Sequence, residues 1–222
     1  MTITRFLANF LSVLFHPLFF VMYMLLLLYV INPYLFTTND PKSTVLIFVS
    51  IISLTVIFPL ICIALMSTLG LISGLKMETN KDRVGPMIAS GIFYIWLYVN
   101  VRQNPNIPDI FTTFLLGSTI ALFIGFFINN FTKISLHSIA VAGVVTSLVL
   151  LKFGFDYYSF LINIPGFGSY IISTDMLIIL AILLAGLMGT VRLFLKAHSP
   201  DQIYGGYMVG IFAQLIAFQV VN

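Results

Sequence analysis

Apolar residues run through the chain in long blocks, and the polar ones collect in short stretches between them. A helical crossing of a bilayer core takes roughly 20 apolar residues. The blocks therefore predict seven helical spans, at residues 6–31, 44–75, 86–101, 110–129, 135–151, 171–195 and 199–221. Pro86 is placed to open the third span, since proline suits the first turn of a helix. The longest connection, residues 152–170, contains Pro165, Gly166 and Gly168 as turn formers. Its aromatic and isoleucine content predicts a re-entrant or interfacial segment. The expectation is an all-α, polytopic transmembrane helix bundle of about seven spans, forming a single integral membrane domain over residues 1–222.

Composition agrees and removes several alternatives. Of 222 residues, 60% are hydrophobic and 8% charged, and the mean hydropathy is +1.10, too apolar for a soluble domain. A net charge of +3 spread over membrane loops offers no basic stripe for nucleic acid, so the partners expected are the lipid bilayer and a lipid, with no oligomeric state indicated. The single Cys62 can close no internal disulfide and reads as core packing. Histidines and acids are scattered, apart from His198 and Asp201, so no metal site and no cofactor is expected.

If every span crosses once, the ends of the second, fourth and sixth share a face with the starts of the third, fifth and seventh. That face receives Lys76, Arg83, Ser135, His137, Arg192 and His198. The other face receives residues 32–43, 102–109 and the long loop. Setting Lys76, Arg83 and Arg192 aside, Arg5, Lys81, Lys133 and Lys196 stand against Lys42, Arg102 and Lys152, a balance that selects neither side as cytoplasmic.

Phosphoryl transfer requires positive charges around the equatorial oxygens, a nucleophile in line with the leaving oxygen, and an acid for the leaving group. Lys76, Arg83 and Arg192 supply charge, and helix N-termini at Ser135 and Ser199 add free backbone N–H groups. His137 and His198 then divide the roles of acid and nucleophile.

The motifs Lys76-x6-Arg83, Ser135-x-His137 and Arg192-x5-His198, in this order, resemble the three signatures of the type 2 phosphatidic acid phosphatase superfamily. The resemblance covers about residues 76–207. It makes residues 44–222 a six-helix phosphatase-like core and residues 1–43 an extra N-terminal span and loop. It implies a metal-independent membrane lipid phosphatase, acting on a lipid phosphomonoester or a polyprenyl diphosphate in a bacterial plasma membrane. His198 would be the nucleophile that forms a phosphohistidine and His137 the general acid. Lys76, Arg83, Ser135 and Arg192 would bind the phosphate.

The chain departs from the family pattern at Val84, Ile134, Leu136 and Val191. Gln202 stands where the third signature carries an aspartate that orients the nucleophile. Gln202 can orient the imidazole with less electrostatic support, or it can complete a capping box with Ser199. These departures motivate an alternative: a catalytically inactive lipid-phosphate binding or transport protein on the same scaffold. Two further patterns read as structural. His16 beside Pro17 suits a kink with a satisfied carbonyl, and Gly206 with Gly210 suits a helix-packing face. Asp175 reads as an interfacial or cap residue.

Overall fold

A computed structural model describes residues 3–36, 40–74, 77, 79–164 and 166–222. Lys76, one of the expected phosphate ligands, lies outside them. Nine α-helices are present among the described residues: α1 (Ile3–Leu14), α2 (Phe20–Ile31), α3 (Pro41–Ile52), α4 (Phe58–Thr68), α5 (Asn80–Val101), α6 (Asp109–Asn129), α7 (Leu136–Phe153), α8 (Thr174–Phe194) and α9 (Pro200–Val221). Six helical stretches are long and apolar enough to cross a membrane. The bent pair formed by α1 and Pro17–Ile31 makes a seventh if it is one span. The protein is a mostly helical integral membrane protein.

The first stretch bends by 40° at His16 and Pro17. The residue before a proline is driven to extended backbone, and His16 sits at φ −69°, ψ 140°. Two contacts repair the break. The Tyr23 hydroxyl donates to the Leu14 carbonyl at 2.6 Å, and His16 Nδ1 accepts from the Leu18 amide at 3.4 Å. Helices α3 and α4 are joined through a π-turn, Ser53–Ile57, in which the Phe58 amide reaches back to the Ser53 carbonyl. Pro59 follows at once. A widened turn relieves the clash that its ring would make with the preceding turn.

The third span does not begin at Pro86. Thr79 caps α5 with its hydroxyl accepting from the Asp82 amide at 3.2 Å, and the Asp82 carboxylate accepts in return from the Thr79 amide at 3.3 Å. This capping box starts the helix at Asn80 and leaves Pro86 in its interior, where it still tolerates the helical φ. Arg83 is consequently on the first turn of a helix rather than in a loop. Asp82 also accepts from the Ser73 amide at 2.8 Å and hydroxyl at 2.7 Å, which ties the preceding loop to this helix.

The long connection, expected as a re-entrant or interfacial segment, forms an antiparallel hairpin, β1 (Ser159–Ile164) and β2 (Gly168–Ser173). Gly166 and Gly168 supply the positive φ its turn needs, at 83° and 98°. Phe160 anchors the hairpin in the main core, and Lys152 pairs with Asp175 at 2.5 Å, linking the end of α7 to the start of α8.

Helices α6 and α7 are the most buried spans, while α8 and the α3–α4 stretch are peripheral. Phe111, Phe114, Leu115 and Leu151 fill the centre. Leu183, Ile182 and Val49 point outward as lipid-facing side chains do. Helix α9 crosses α7 at glycine contacts. A Cβ on Gly206 would lie 2.8 Å from the Ser135 carbonyl oxygen, and one on Gly210 would lie 2.3 Å from that of Ile139. Only hydrogen fits there, so the backbones meet directly. This contact holds the start of α9 against the start of α7.

Candidate functional site

The three polar clusters are stitched together by main-chain atoms. Arg83 Nε donates to the Met77 carbonyl at 3.2 Å, and its Nη1 donates to the Ile134 carbonyl, also at 3.2 Å. The Ser135 amide then donates to the Gln202 carbonyl at 3.3 Å. Loop residues that are far apart in sequence thus form one end of the bundle. Beneath them lies a cavity of about 370 Å³, in the range of small-molecule pockets, whose walls include Arg83, His137, Arg192 and His198. Four of the expected site residues therefore share one chamber.

His198 follows the end of α8 and precedes α9. Its Nδ1 lies 2.9 Å from Gln202 Oε1. The Ser199 amide also points at that Oε1, at 3.4 Å. An amide N–H can only donate, which fixes the atom as oxygen and puts the imidazole proton on Nδ1. His198 Nε2 is then the unprotonated nitrogen, and it makes no hydrogen bond among the described residues. Capping and orienting are both carried by the same oxygen. Burial is the main influence on the imidazole. The Gln202 hydrogen bond opposes it, and the charges of Arg192, Arg83 and Lys133 add to it, so the pKa falls from 6.5 to about 4.

Arg192, in the last turn of α8, donates from Nη1 to the Ser12 hydroxyl at 2.6 Å. Its Nε is buried without a partner. Neither Arg192 nor Arg83 is paired with a carboxylate among the described residues; the ion pair found there is Lys152 with Asp175. Two neighbouring guanidinium groups with no counter-ion form a site that favours an anion, because unpaired charge out of water is costly.

His137 opens α7 and places Nε2 3.0 Å from the Ser12 carbonyl. The Ser12 hydroxyl is 3.4 Å from the same nitrogen. Since a carbonyl only accepts, Nε2 carries the proton. His16 packs edge-on against His137, with ring centroids 5.7 Å apart.

Ser135 is placed differently. It is fully buried, caps α7 by accepting from the Ser138 amide at 3.3 Å, and accepts from the Ser138 hydroxyl at 2.9 Å. It is absent from the cavity wall. Gln202 orients His198 from behind and likewise does not line the chamber.

Sequence reasoning did not single out Ser12. The first span, read as an extra element, brings both Ser12 and His16 into the wall. Ser12 lies in α1, and the break at His16 turns that residue's ring toward the same wall; polar residues inside an apolar span were the available signal. Among the described residues no three of His, Cys, Asp and Glu gather as metal ligands. Compared with models of protein families, with curated proteins and with solved structures, the chain matches none.

Proposed function

We propose that this protein is a membrane lipid phosphatase that works through a phosphohistidine, and that it belongs with the type 2 phosphatidic acid phosphatases it resembles. The observation that carries the reading is His198. Its Nδ1–H is held by Gln202, leaving an unprotonated Nε2 in a cavity shared with two unpaired guanidinium groups.

In this reading the lipid phosphate binds Arg83 and Arg192, with Lys76 a further ligand by resemblance. His198 Nε2 attacks phosphorus as the bond to the lipid oxygen breaks. His137, protonated on both ring nitrogens once the anionic phosphate is bound beside it, gives its Nε2 proton to that oxygen and is left neutral, releasing a lipid alcohol. Water then attacks the phosphohistidine, gives its proton to His137, and frees phosphate with His198 restored. The contact between His137 Nε2 and the Ser12 carbonyl implies that the departing oxygen takes the place of that carbonyl.

The test is phosphate release from lipid phosphates by the purified protein in chelator, with vanadate as inhibitor. Activity absent from His198→Ala is expected; equal activity in the two proteins overturns the reading. The occupation of Arg192 and His137 by Ser12 favours a second reading, a lipid-phosphate binding or transport protein. Tight binding without turnover, persisting in Gln202→Asp, would select it.

A further inference from the structure

The cavity does not stop at the cationic end. Its wall follows α5 from Arg83 through Ser90 to Tyr94, eleven residues or about 16 Å of helical rise, and it includes Ser118 of α6 and Gln214 of α9. These four polar residues sit deep in spans whose surroundings are otherwise apolar.

Hydroxyls on transmembrane helices usually satisfy themselves on the carbonyl four residues back. Here Thr55, Thr119, Thr146 and Thr190 do so at 2.7 to 2.9 Å. Ser90, Ser118 and Tyr94 make no side-chain hydrogen bond among the described residues, and all three face the cavity. Gln214 is 1% exposed. Its Nε2 donates to the Phe114 carbonyl at 3.3 Å, which fixes the other amide atom as Oε1, and that oxygen has no partner. Thr113 and Ser147 also carry unpartnered hydroxyls, but neither lines the chamber.

The amide is housed deliberately. A Cβ on Gly117 would lie 2.3 Å from Gln214 Oε1, and one on Gly143 3.4 Å from its Nε2. Packed against Gly117, Oε1 is closed to water as well as unpartnered, so Gln214 borders the chamber without offering that oxygen to it. The hydroxyls of Ser90, Tyr94 and Ser118 are the groups that water or a polar ligand must satisfy.

We infer that Ser90, Tyr94 and Ser118 form a second polar subsite, which takes a hydrogen-bonding group carried on the apolar body of the substrate. The inference rests on the phosphatase reading and names its substrate class: lipid phosphates with a polar group along the chain. A hydroxyl, amide or ester carbonyl accepts from these hydroxyls, whereas a plain polyprenyl chain leaves all three orphaned.

The probes are dodecyl phosphate and a series of dodecyl phosphates bearing one hydroxyl at successive chain positions. Wild type should hydrolyse one mid-chain isomer with a kcat/KM about tenfold above the plain chain, the worth of one net hydrogen bond. Ser90→Ala, and independently Tyr94→Phe, should bring that ratio close to one. Equal rates on plain and hydroxylated chains in wild type, or a ratio that survives both variants, overturns the subsite. If no chain releases phosphate, the phosphatase reading fails. The subsite is then decided by calorimetric binding of the same lipids to the detergent-solubilised protein, where the same tenfold preference and its loss are required.

Discussion

His198 Nδ1 donates to Gln202 Oε1 at 2.9 Å across one turn at the start of α9. On the proposed reading, a neutral amide stands where the resembled phosphatases carry an aspartate. It fixes the tautomer of the imidazole and withholds the negative charge that would favour its protonated form. With its pKa held at about 4 by burial and nearby cations, His198 is neutral through the physiological range, as the proposed nucleophile must be.

The pH dependence follows from that sign. The nucleophile is lost when His198 is protonated, so kcat/KM should stay level on the acid side until pH approaches 4 rather than falling near 6.5. Gln202→Asp adds an adjacent anion that stabilises the imidazolium. The acid limb should therefore move upward by about one pH unit or more. A limb at the same pH in both proteins would show that Gln202 does not set the state of the nucleophile.

Ser12 answers a different question, because it holds Arg192 and His137 at once. Ser12→Ala removes the acceptor of Arg192 Nη1, in a guanidinium whose Nε is already unpartnered, costing about 1–3 kcal/mol of stability, visible as a lower Tm in detergent. Vanadate supplies oxygens for the same donors. Its stabilising shift should be larger in Ser12→Ala than in wild type, and Ser12→Thr should behave like wild type. Equal shifts would mean that Arg192 does not face the bound oxyanion.

Arg83 bonds two carbonyls in different directions through Nε and Nη1. Lysine has the charge without the planar fork. Arg83→Lys should lower kcat/KM by about a hundredfold, comparable with removing one donor to developing charge, and the loss should be steeper than any change in Tm. Unchanged kinetics would remove Arg83 from the site.

Adjacent glycines at the start of α9 test the packing that assembles the chamber. A Cβ on Gly205 meets nothing within 4 Å, whereas one on Gly206 or Gly210 meets backbone of α7. Gly205→Ala should be neutral or stabilising by up to about 1 kcal/mol. Gly206→Ala and Gly210→Ala should each destabilise by about 1–3 kcal/mol and reduce activity, as the His198 end of α9 is pushed from His137. Thermal unfolding of the three variants distinguishes the positions.

Residues 110–129 and 199–221 were legible as spans because their apolar runs have the length a bilayer demands, and Gly206 with Gly210 was legible as a contact face. The spacing of Arg83, His137, Arg192 and His198 was legible for a similar reason: a span that crosses once returns its polar ends to a common side. Other features were decided locally by competing signals. The start of α5 went to Thr79 and Asp82 over Pro86, because two reciprocal hydrogen bonds outweigh a proline preference. Residues 159–173 became a hairpin because alternating side chains found pairing partners across a glycine turn.

The sequence by itself determined the membrane-spanning helices and the end of the bundle at which the charged residues gather, since hydrophobic length and chain reversal leave little choice. Tertiary structure alone decided that Ser12 from the first helix closes on Arg192 and His137, and that Gln214 from the last lies beneath them in the same cavity. Those contacts join residues 180 and 125 positions apart or meet across three helices. No local periodicity encodes them, because they depend on which helix faces are left to meet once α7 and α9 have packed.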